Sequence, residues 1–387
     1  MNNPIPDSFS NTPTAASQLI QVDRAISELR RGRPLPILCA NKNRLIASVE
    51  TVDPAVIAQF QEHDEGLAYI LITGQRAKYL GFDAKEHETI YRLVPTNGMP
   101  IEQIRAITDP VWAIGKEQSP GYYLANWELA DCDDIDNLSI RLAKHAELLP
   151  ALLVAHSVHH NLFDEWSIAV DDIAGGIAQQ SRSLRIVSEV QVPLEDVETA
   201  RIVAFRPNDG GVEHLAIVVG EPDLSQPVLV RLHSECFTGD LLGSLRCDCG
   251  PQLRGAIAHM AQSGGGILLY LAQEGRGIGL INKLRAYQLQ DDGLDTVDAN
   301  LALGFEEDER NYLPAAQMLQ LLHVARVRVM TNNPRKVSAL ESLGISVTER
   351  VAHVIPANPY NKGYLFTKGT RGGHLFAAIN NAEQSSD

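Results

Sequence analysis

This sequence of 387 residues lacks long apolar runs, blocks of like charge and a large set of cysteines. A membrane-spanning helix needs roughly 18 to 20 consecutive apolar residues, and no stretch reaches that length. The first residues, MNNPIPDSFSNTPTAASQ, have neither a basic start nor a hydrophobic segment, so we expect a cytoplasmic protein. The five cysteines are too few and too unevenly placed for a disulfide framework.

The charge is acidic and evenly spread along the chain. Lys and Arg total 33 against 48 for Asp and Glu, which gives a net charge of −15. This distribution argues against a general nucleic-acid or anionic-membrane surface, although a local cluster of arginines can still hold one phosphorylated ligand. We therefore expect a small-molecule partner.

The rest of the composition, 44% hydrophobic and 21% charged residues, is typical of a globular protein with a large core. At about 150 residues per domain, the length predicts two or three domains. Hydrophobic periodicity is lost around 175–185, where Gly, Gln, Ser and Arg accumulate. We predict an α/β (α+β) fold with two domains, at 18–185 and 186–376, between flexible tails at 1–17 and 377–387.

The same periodicity predicts individual elements. In the first domain it indicates helices at 22–30 and 138–149 and strands at 35–39, 67–73 and 151–155. In the second it indicates strands at 202–205, 215–219, 228–233, 266–271 and 327–330, and helices at 252–262, 281–290 and 315–322.

Three of the five cysteines, Cys236, Cys247 and Cys249, follow one another at C-x10-C-x-C spacing in a glycine-containing segment. A structural zinc usually has four protein ligands, whereas a catalytic zinc keeps one position for water, so three thiolates indicate an open site. One alternative is a set of buried apolar cysteines. The other is a redox pair, although C-x-C lacks the C-x-x-C geometry at a helix start.

Two further segments each follow a predicted strand and precede a helix. QEGRGIGL at 273–280 places Glu274 and Arg276 near a strand end, where a guanidinium can pair with phosphate and a carboxylate can accept two hydrogen bonds from a guanine-like edge. TNNPRK at 331–336 has Asn333 as a helix N-cap before Pro334, so its backbone N–H groups, Arg335 and Lys336 form a competent phosphate cradle. A plain structural turn and a well-capped helix are the respective alternatives.

FEEDERNY at 305–312 places Asp308 and Arg310 two residues apart, before Pro314 opens a helix. Charges of this kind on a loop are usually only solvated. Because the pKa of an arginine normally exceeds about 12, sequence physics alone does not nominate Arg310 as a nucleophile.

Taken together, RLHSEC-x10-CDCG-x-QL, QEGRGIGL, INKLRAYQLQD, DER and TNNPRK resemble the GTP cyclohydrolase II family over about residues 186–370. The resemblance implies hydrolytic opening of the imidazole ring of GTP in riboflavin biosynthesis. C8 leaves as formate and pyrophosphate is lost, giving 2,5-diamino-6-(5-phospho-ribosylamino)pyrimidin-4(3H)-one. It also implies one Zn²⁺ per subunit, Mg²⁺ with the GTP phosphates, and a homodimer.

Carried over by position, the resemblance makes Cys236, Cys247 and Cys249 the zinc ligands. Asp308 matches the proton acceptor, Arg310 the nucleophile toward the α-phosphorus, and Tyr287 the tyrosine that completes ring opening. Glu274 matches the position that binds the guanine edge, while Arg276, Thr331 and Lys336 face phosphate. The GTP-contacting positions as a whole are Arg231, Leu232, His233, Ser234, Glu235, Gln252, Glu274, Gly275, Arg276, Thr296, Thr331 and Lys336.

The first domain resembles 3,4-dihydroxy-2-butanone 4-phosphate synthase in the layout of VDRAISELRRGRPLPILCANKNRLIASVE. That family has an acidic loop where this chain has CANKNRLI at 39–46, which contains no carboxylate, so we expect a degenerate domain. His156, His159 and His160 could be replacement metal ligands or only a surface feature. Two other functions stay open: a bifunctional enzyme that also converts ribulose 5-phosphate, and a non-catalytic GTP-binding regulator.

Overall fold

The computed structural model describes residues 15–362, apart from 41, 64–67, 86–88, 97–99, 113, 116–123, 125, 157–165, 181–183, 196 and 209. Within these residues the chain forms two seven-stranded sheets, each with its own helices, which confirms the predicted α/β class with two units. We call them the N-terminal unit, up to residue 180, and the C-terminal unit, from residue 184. No described helix is long and apolar enough to cross a membrane.

The N-terminal sheet is antiparallel except for the last pair, β1 with β7, and its strand order is β5-β4-β3-β6-β2-β1-β7. One core cluster lies on each face. The strands are β1 Leu35–Leu38, β2 Arg44–Ser48, β3 Tyr69–Thr73, β4 Ile90–Pro95, β5 Trp127–Asp131, β6 Ala151–Ala155 and β7 Ile168–Ala169. The helices are α1 Ala15–Arg30, α2 Pro54–His63, α3 Gly74–Tyr79, α4 Ile101–Thr108, α5 Asp134–His145 and α6 Val170–Gln180.

The C-terminal sheet has the order β14-β13-β11-β12-β10-β9-β8, parallel from β14 to β12 and antiparallel beyond. Its strands are β8 Leu184–Gln191, β9 Ala200–Pro207, β10 His214–Val219, β11 Val228–Ser234, β12 Gly266–Leu271, β13 Arg326–Met330 and β14 Ser346–Val351. Its helices are α7 Cys249–Gln262, the short turn α8 Glu274–Gly277, α9 Leu280–Asp291, α10 Thr296–Leu303, α11 Leu313–Leu321 and α12 Pro334–Ser342.

Several predictions about the N-terminal unit are wrong in detail. The helix predicted at 138–149 is observed at Asp134–His145. The first helix begins at Ala15 rather than at residue 22. Residues 15–17, which we expected in the N-terminal tail, therefore belong to this helix. The segment expected as a loop at 39–46 contains the start of β2, a strand whose residues are all buried. Arg44 can be buried there because its guanidinium donates hydrogen bonds to Tyr69 and Asp133. Residues 1–14 and 377–387 of the expected tails, with His159 and His160, lie outside the described residues.

Candidate active site

The three sequence motifs meet because they follow parallel strands. β11 ends at Ser234, paired with Leu271 at the end of β12, and β13 lies on the other side of β11 and ends at Met330. The carboxyl ends of parallel strands share one edge of a sheet, which is where ligands of such sheets bind. One pocket opens at this edge, and every predicted site residue except Asp308 lines it.

The three predicted thiols form a cluster at one end of this pocket. Their sulfur atoms lie within 4.8 Å of one another, and the Sγ atoms of Cys236 and Cys247 are 3.7 Å apart. Hydrogen bonds from Cys247 and Cys249 lower the pKa of the Cys236 thiol; the Lys283 ammonium acts in the same direction, against the opposing effect of burial. The hydrogen bond between Cys236 and Cys247 raises the pKa of the Cys247 thiol to about 11. Thiolate is the form that binds metal, so without a cation Cys236 is the sulfur best prepared to bind one.

The backbone beside the three sulfur atoms also leaves space for an ion. A Cβ atom on Gly239 would lie 2.7 Å from the Cys247 Sγ and 3.0 Å from the Cys236 Sγ, so only glycine leaves room beside both sulfurs. Three thiolates around such a space are the donor set of an open zinc site, with one coordination position left over. Among the described residues this is the one group of three or more His, Cys, Asp or Glu side chains arranged to hold a metal.

Asp240 holds the turn that carries Gly239. Its carboxylate accepts hydrogen bonds from the Cys236 N–H at 3.0 Å and from the Tyr270 hydroxyl at 3.0 Å, and the His233 Nε2 lies 3.1 Å from both oxygens. Burial lowers the pKa of His233 despite this carboxylate. The predicted substrate residue His233 is thereby fixed on the Asp240 side of the site.

Lys283, which the sequence did not single out, joins the thiol cluster to the glycine-rich turn. Its Nζ lies 2.8 Å from the Glu274 Oε1, 3.2 Å from the Cys236 Sγ and 2.9 Å from the Thr238 Oγ1. Burial alone would lower the pKa of Lys283, but the hydrogen bond to Glu274 and the nearby charges outweigh it and raise the pKa. Lys283 is thus a buried, charged link between the two motifs.

The Glu274 carboxylate already accepts several hydrogen bonds from the protein itself. Besides Lys283, its carboxylate accepts hydrogen bonds from the Phe237 N–H at 2.6 Å and the Gly275 N–H at 3.0 Å. A carboxylate offers about four acceptor positions. In this geometry about one remains, which suits one N–H group of a guanine edge rather than two.

The part of the pocket lined by β11 and by the start of α12 is rich in donors. Arg231 is buried and donates to the Met330 carbonyl and the Gln252 side chain, while its Nε has no hydrogen-bond partner within the described structure. Burial lowers the pKa of Arg231 to about 10, which still keeps it charged at neutral pH. An unpaired buried donor of this kind is costly unless a ligand supplies an acceptor.

The phosphate cradle forms next to Arg231. Asn333 caps α12 through a 2.9 Å bond from the Arg335 N–H, as the sequence predicted, and the Thr331 Oγ1 accepts the Asn333 N–H at 3.0 Å. The Lys336 Nζ reaches back to the Leu232 carbonyl at 2.8 Å. The helix start and Lys336 therefore face the pocket together, whereas Arg335, also predicted for the cradle, is exposed and pairs with Glu307 instead.

Arg310 and Asp308 form an ion pair at the pocket wall. The Arg310 Nε lies 2.7 Å from the Asp308 Oδ1, and Arg310 lines the pocket with Asp308 behind it. Burial alone would raise the pKa of Asp308, but the hydrogen bonds and charge of Arg310 lower it. The pair orients the guanidinium, and in this geometry Asp308 is a weak base toward it.

The Arg246 guanidinium carbon lies 5.1 Å from the Tyr287 ring centre and the Lys283 Nζ lies 5.7 Å from it. The Thr296 Oγ1, at the start of α10, accepts from the Gln290 Nε2 at 3.4 Å. The phenol of Tyr287 therefore lies close to the thiol end, where Lys283 contacts Cys236.

This fold and pocket bring together three thiols that could hold a metal ion and donors of the kind that bind phosphate. The model of the family described as GTP cyclohydrolase II matches residues 185–352. A protein from Azospirillum brasilense described as GTP cyclohydrolase-2 is 46% identical over 373 residues, which cover 94% of this chain and 96% of that protein. The chain belongs to the GTP cyclohydrolase II family, as its motifs predicted, and is an enzyme of that type acting in riboflavin biosynthesis.

Relatives also align with the N-terminal unit. A Bacillus mycoides (strain KBAB4) protein described as riboflavin biosynthesis protein RibBA is 33% identical over 394 residues, which cover 92% of this chain and 98% of that protein. A solved two-domain 3,4-dihydroxy-2-butanone 4-phosphate synthase from A. baumannii is 16% identical with a TM-score of 0.30, covering 86% of this chain and 99% of that one. The alignments with the A. brasilense and B. mycoides proteins span both sheets, so those two relatives share the N-terminal unit with this chain.

Proposed function

We propose that this enzyme hydrolyses GTP with zinc as its metal, releasing formate from C8 and pyrophosphate, and leaving 2,5-diamino-6-(5-phospho-ribosylamino)pyrimidin-4(3H)-one. The observation that carries the proposal is the joint placement of the three thiols, Arg310 and the phosphate cradle around one pocket. A GTP molecule bound between them has its guanine ring toward the sulfurs and its phosphates toward Lys336 and Arg231.

The residues divide the work by their positions. Cys236, Cys247 and Cys249 would hold Zn²⁺, which would supply an activated water for attack on C8. The orphaned Arg231 Nε and the Lys336 ammonium, with Mg²⁺, neutralise the phosphates. Arg310, oriented by Asp308, faces the α-phosphorus as the nucleophile implied by the family resemblance, and Tyr287 at the thiol end assists the completion of ring opening.

A test separates the metal role from the rest of the fold. In Cys247→Ser we expect zinc content, measured by elemental analysis, to fall to a small fraction of one per chain, and formate release from GTP to fall on the order of a hundred-fold or more. Cys39→Ser, which changes a half-buried cysteine of the N-terminal unit, is the matched control and should retain both. Unchanged zinc and formate release in Cys247→Ser would refute the zinc role.

We further propose that the enzyme works in the cytoplasm as a homodimer and binds neither nucleic acid nor membranes. Its net charge of −15 is unfavourable for polyanionic partners. Light scattering of the full chain should give twice 42.3 kDa. A mass of one chain at assay concentrations would contradict the dimer.

A second activity, formation of dihydroxybutanone phosphate, is the alternative that the RibBA relatives favour. Against it, the described part of the N-terminal unit contains no cluster of metal-binding side chains, and the 39–46 segment has no carboxylate. Incubation of the full chain with ribulose 5-phosphate and Mg²⁺, without GTP, should release no formate. Formate from that sugar would establish the second activity, whereas stoichiometric GTP binding without any product would indicate a regulatory protein.

A further inference from the structure

The segment that carries Asp308 and Arg310 contains four consecutive carboxylates, Glu306 to Glu309. Like charges this close repel one another and compete for any nearby cation. Each carboxylate has a partner in the structure, and the partner of Asp308 is the Arg310 guanidinium. The exposed Arg335 side chain lies 3.3 Å from the Glu307 carboxylate.

The other two partners come from the N-terminal unit. The Lys144 Nζ, at the end of α5, lies 2.6 Å from the Glu309 Oε1, and the Gln75 side chain donates to Glu306. The side chains of Lys144 and Glu309 are only 21% and 18% exposed, so their attraction is stronger than that of a surface pair. Lys144, Glu306 and Glu309 line a cleft between the units, whereas Arg310 lines the catalytic pocket.

Glu309 also fixes the backbone of the segment. Its Oε1 accepts the Glu306 N–H at 2.8 Å, and its own N–H donates to the Arg276 carbonyl at 3.1 Å. Its carbonyl lies against the glycine-rich turn, where a Cβ atom on Gly277 would approach within 2.8 Å. The orientation of Glu309 is therefore coupled to Glu306 and to the glycine-rich turn, which both lie next to the Arg310–Asp308 pair.

The N-terminal unit also contacts the helix that leads into this segment. Arg76, fully buried, donates to the Ala302 carbonyl at 2.8 Å, and the Thr73 Oγ1 donates to the Gly304 carbonyl at 2.8 Å. Carbonyls at the end of a helix lack partners within it, and a cation there is favourable. α10 begins with Thr296 at the pocket and ends on Arg76, so the N-terminal unit holds its far end.

We propose that the N-terminal unit positions the catalytic segment of the C-terminal unit, and that Lys144 is the positioning residue that acts through Glu309 to keep Arg310 paired with Asp308 in the pocket. Without Lys144, the Glu309 carboxylate is left partly buried and free to compete for the Arg310 guanidinium. This inference rests on the proposed GTP hydrolysis. Under this proposal the N-terminal unit contributes to GTP hydrolysis without having a catalytic activity of its own.

The full chain with Lys144→Met tests the proposal. We expect kcat for GTP to fall about ten- to a hundred-fold, as misplacement of a catalytic group does, with zinc content and the KM for GTP close to the wild-type values. Lys144→Arg should restore most of kcat. Arg328→Met, which removes an exposed ion pair with Glu349, is the matched control.

A double-mutant cycle isolates the pair. If Lys144 acts through Glu309, the Lys144→Met/Glu309→Gln variant should be no slower than the slower single variant. An unchanged kcat in Lys144→Met, additive losses in the cycle, or a loss that only follows zinc content or the melting temperature would each overturn the proposal. Wild-type protein that does not turn over GTP would refute the proposed function itself, which keeps the two failures distinct.

Discussion

Gly239 shows how closely the thiol site is shaped at the scale of single residues. Its Cα faces all three cysteines, and the nearest atoms to an added Cβ are two sulfurs and the Cys249 Cβ. Zinc–sulfur bonds are about 2.3 Å long and tetrahedral, so a shift of a few tenths of an ångström in two sulfurs is a large error.

We expect Gly239→Ala to lower zinc content, measured by elemental analysis of the dialysed protein, at least several-fold, because the added methyl displaces the Cys236 and Cys247 sulfurs. Gly255→Ala in α7 is the matched control, since its added methyl would meet its nearest neighbour, the His353 ring, at 3.4 Å. That variant should keep its zinc and its stability, or gain up to about 1 kcal/mol. Full zinc occupancy in Gly239→Ala would contradict the prediction that the site needs glycine at this position.

The sequence located the thiol cluster because thiols at close spacing are rare and chemically specific. It missed Lys283, Asp240 and Gly239, because a lysine in a helix, an aspartate in a turn and a glycine in a loop each have common structural explanations. Their roles depend on which atoms the fold brings within about 3 Å. Helical spacing offered one usable signal, since Lys283 and Tyr287 lie four residues apart on α9 and so on one face.

At the scale of elements, strands with β-branched and aliphatic residues were predictable. β6 and β12 were predicted with the bounds observed. β2 was not predicted because Arg44 has a charge whose burial depends on distant partners, and β14 was missed because its residues SVTERV are mostly exposed and polar. The helix α10 was missed because TVDANLAL has no amphipathic period and is buried on several sides.

The junction of β12 and the glycine-rich turn depends on a buried histidine at the start of β10. The His214 Nδ1 accepts the Ala272 N–H at 3.0 Å, and burial lowers the pKa of His214 to about 4. Because the folded-state pKa is below the unfolded value of about 6.5, the neutral ring is favoured by folding. Its contribution to stability is complete above about pH 6.5 and is lost as the pH falls toward 4.

We therefore expect the wild-type protein to lose roughly 2 to 3 kcal/mol more unfolding free energy than His214→Asn between pH 7 and pH 4.5, measured by urea denaturation. Asn retains an acceptor for the Ala272 N–H but does not titrate. His323→Asn, at an exposed left-handed position that Asn tolerates, is the control and should follow the wild type. Parallel pH profiles for all three proteins would contradict the assignment.

At the scale of the whole molecule, the two units share a hydrophobic cluster. Leu149 of the N-terminal unit is buried with Ile278, Leu289, Leu303 and Phe305 of the C-terminal unit. This cluster lies beneath α9 and α10, which carry Tyr287 and Thr296 into the pocket. The sequence indicated two domains by a loss of periodicity, but a contact between distant segments leaves no local pattern and could not be predicted.

Leu149→Ala should lower the unfolding free energy by about 3 kcal/mol and also reduce GTP turnover, because the cavity opens beneath the helices of the site. Leu153→Ala, equally buried but within the N-terminal core, should cost a similar stability and leave turnover unchanged. Chemical denaturation and initial rates at a temperature where both variants are folded check this. Equal turnover in the two variants would contradict the link between the interface and the pocket.

The most direct measurement follows GTP labelled with ¹³C at C8, mixed with the full-length zinc-loaded protein and Mg²⁺, by NMR. The structure predicts that the label appears as formate, with one pyrophosphate released for each formate, and that removal of zinc with a chelator stops the formate signal. Label that stays in intact GTP in the presence of zinc and Mg²⁺ would contradict the proposed reaction.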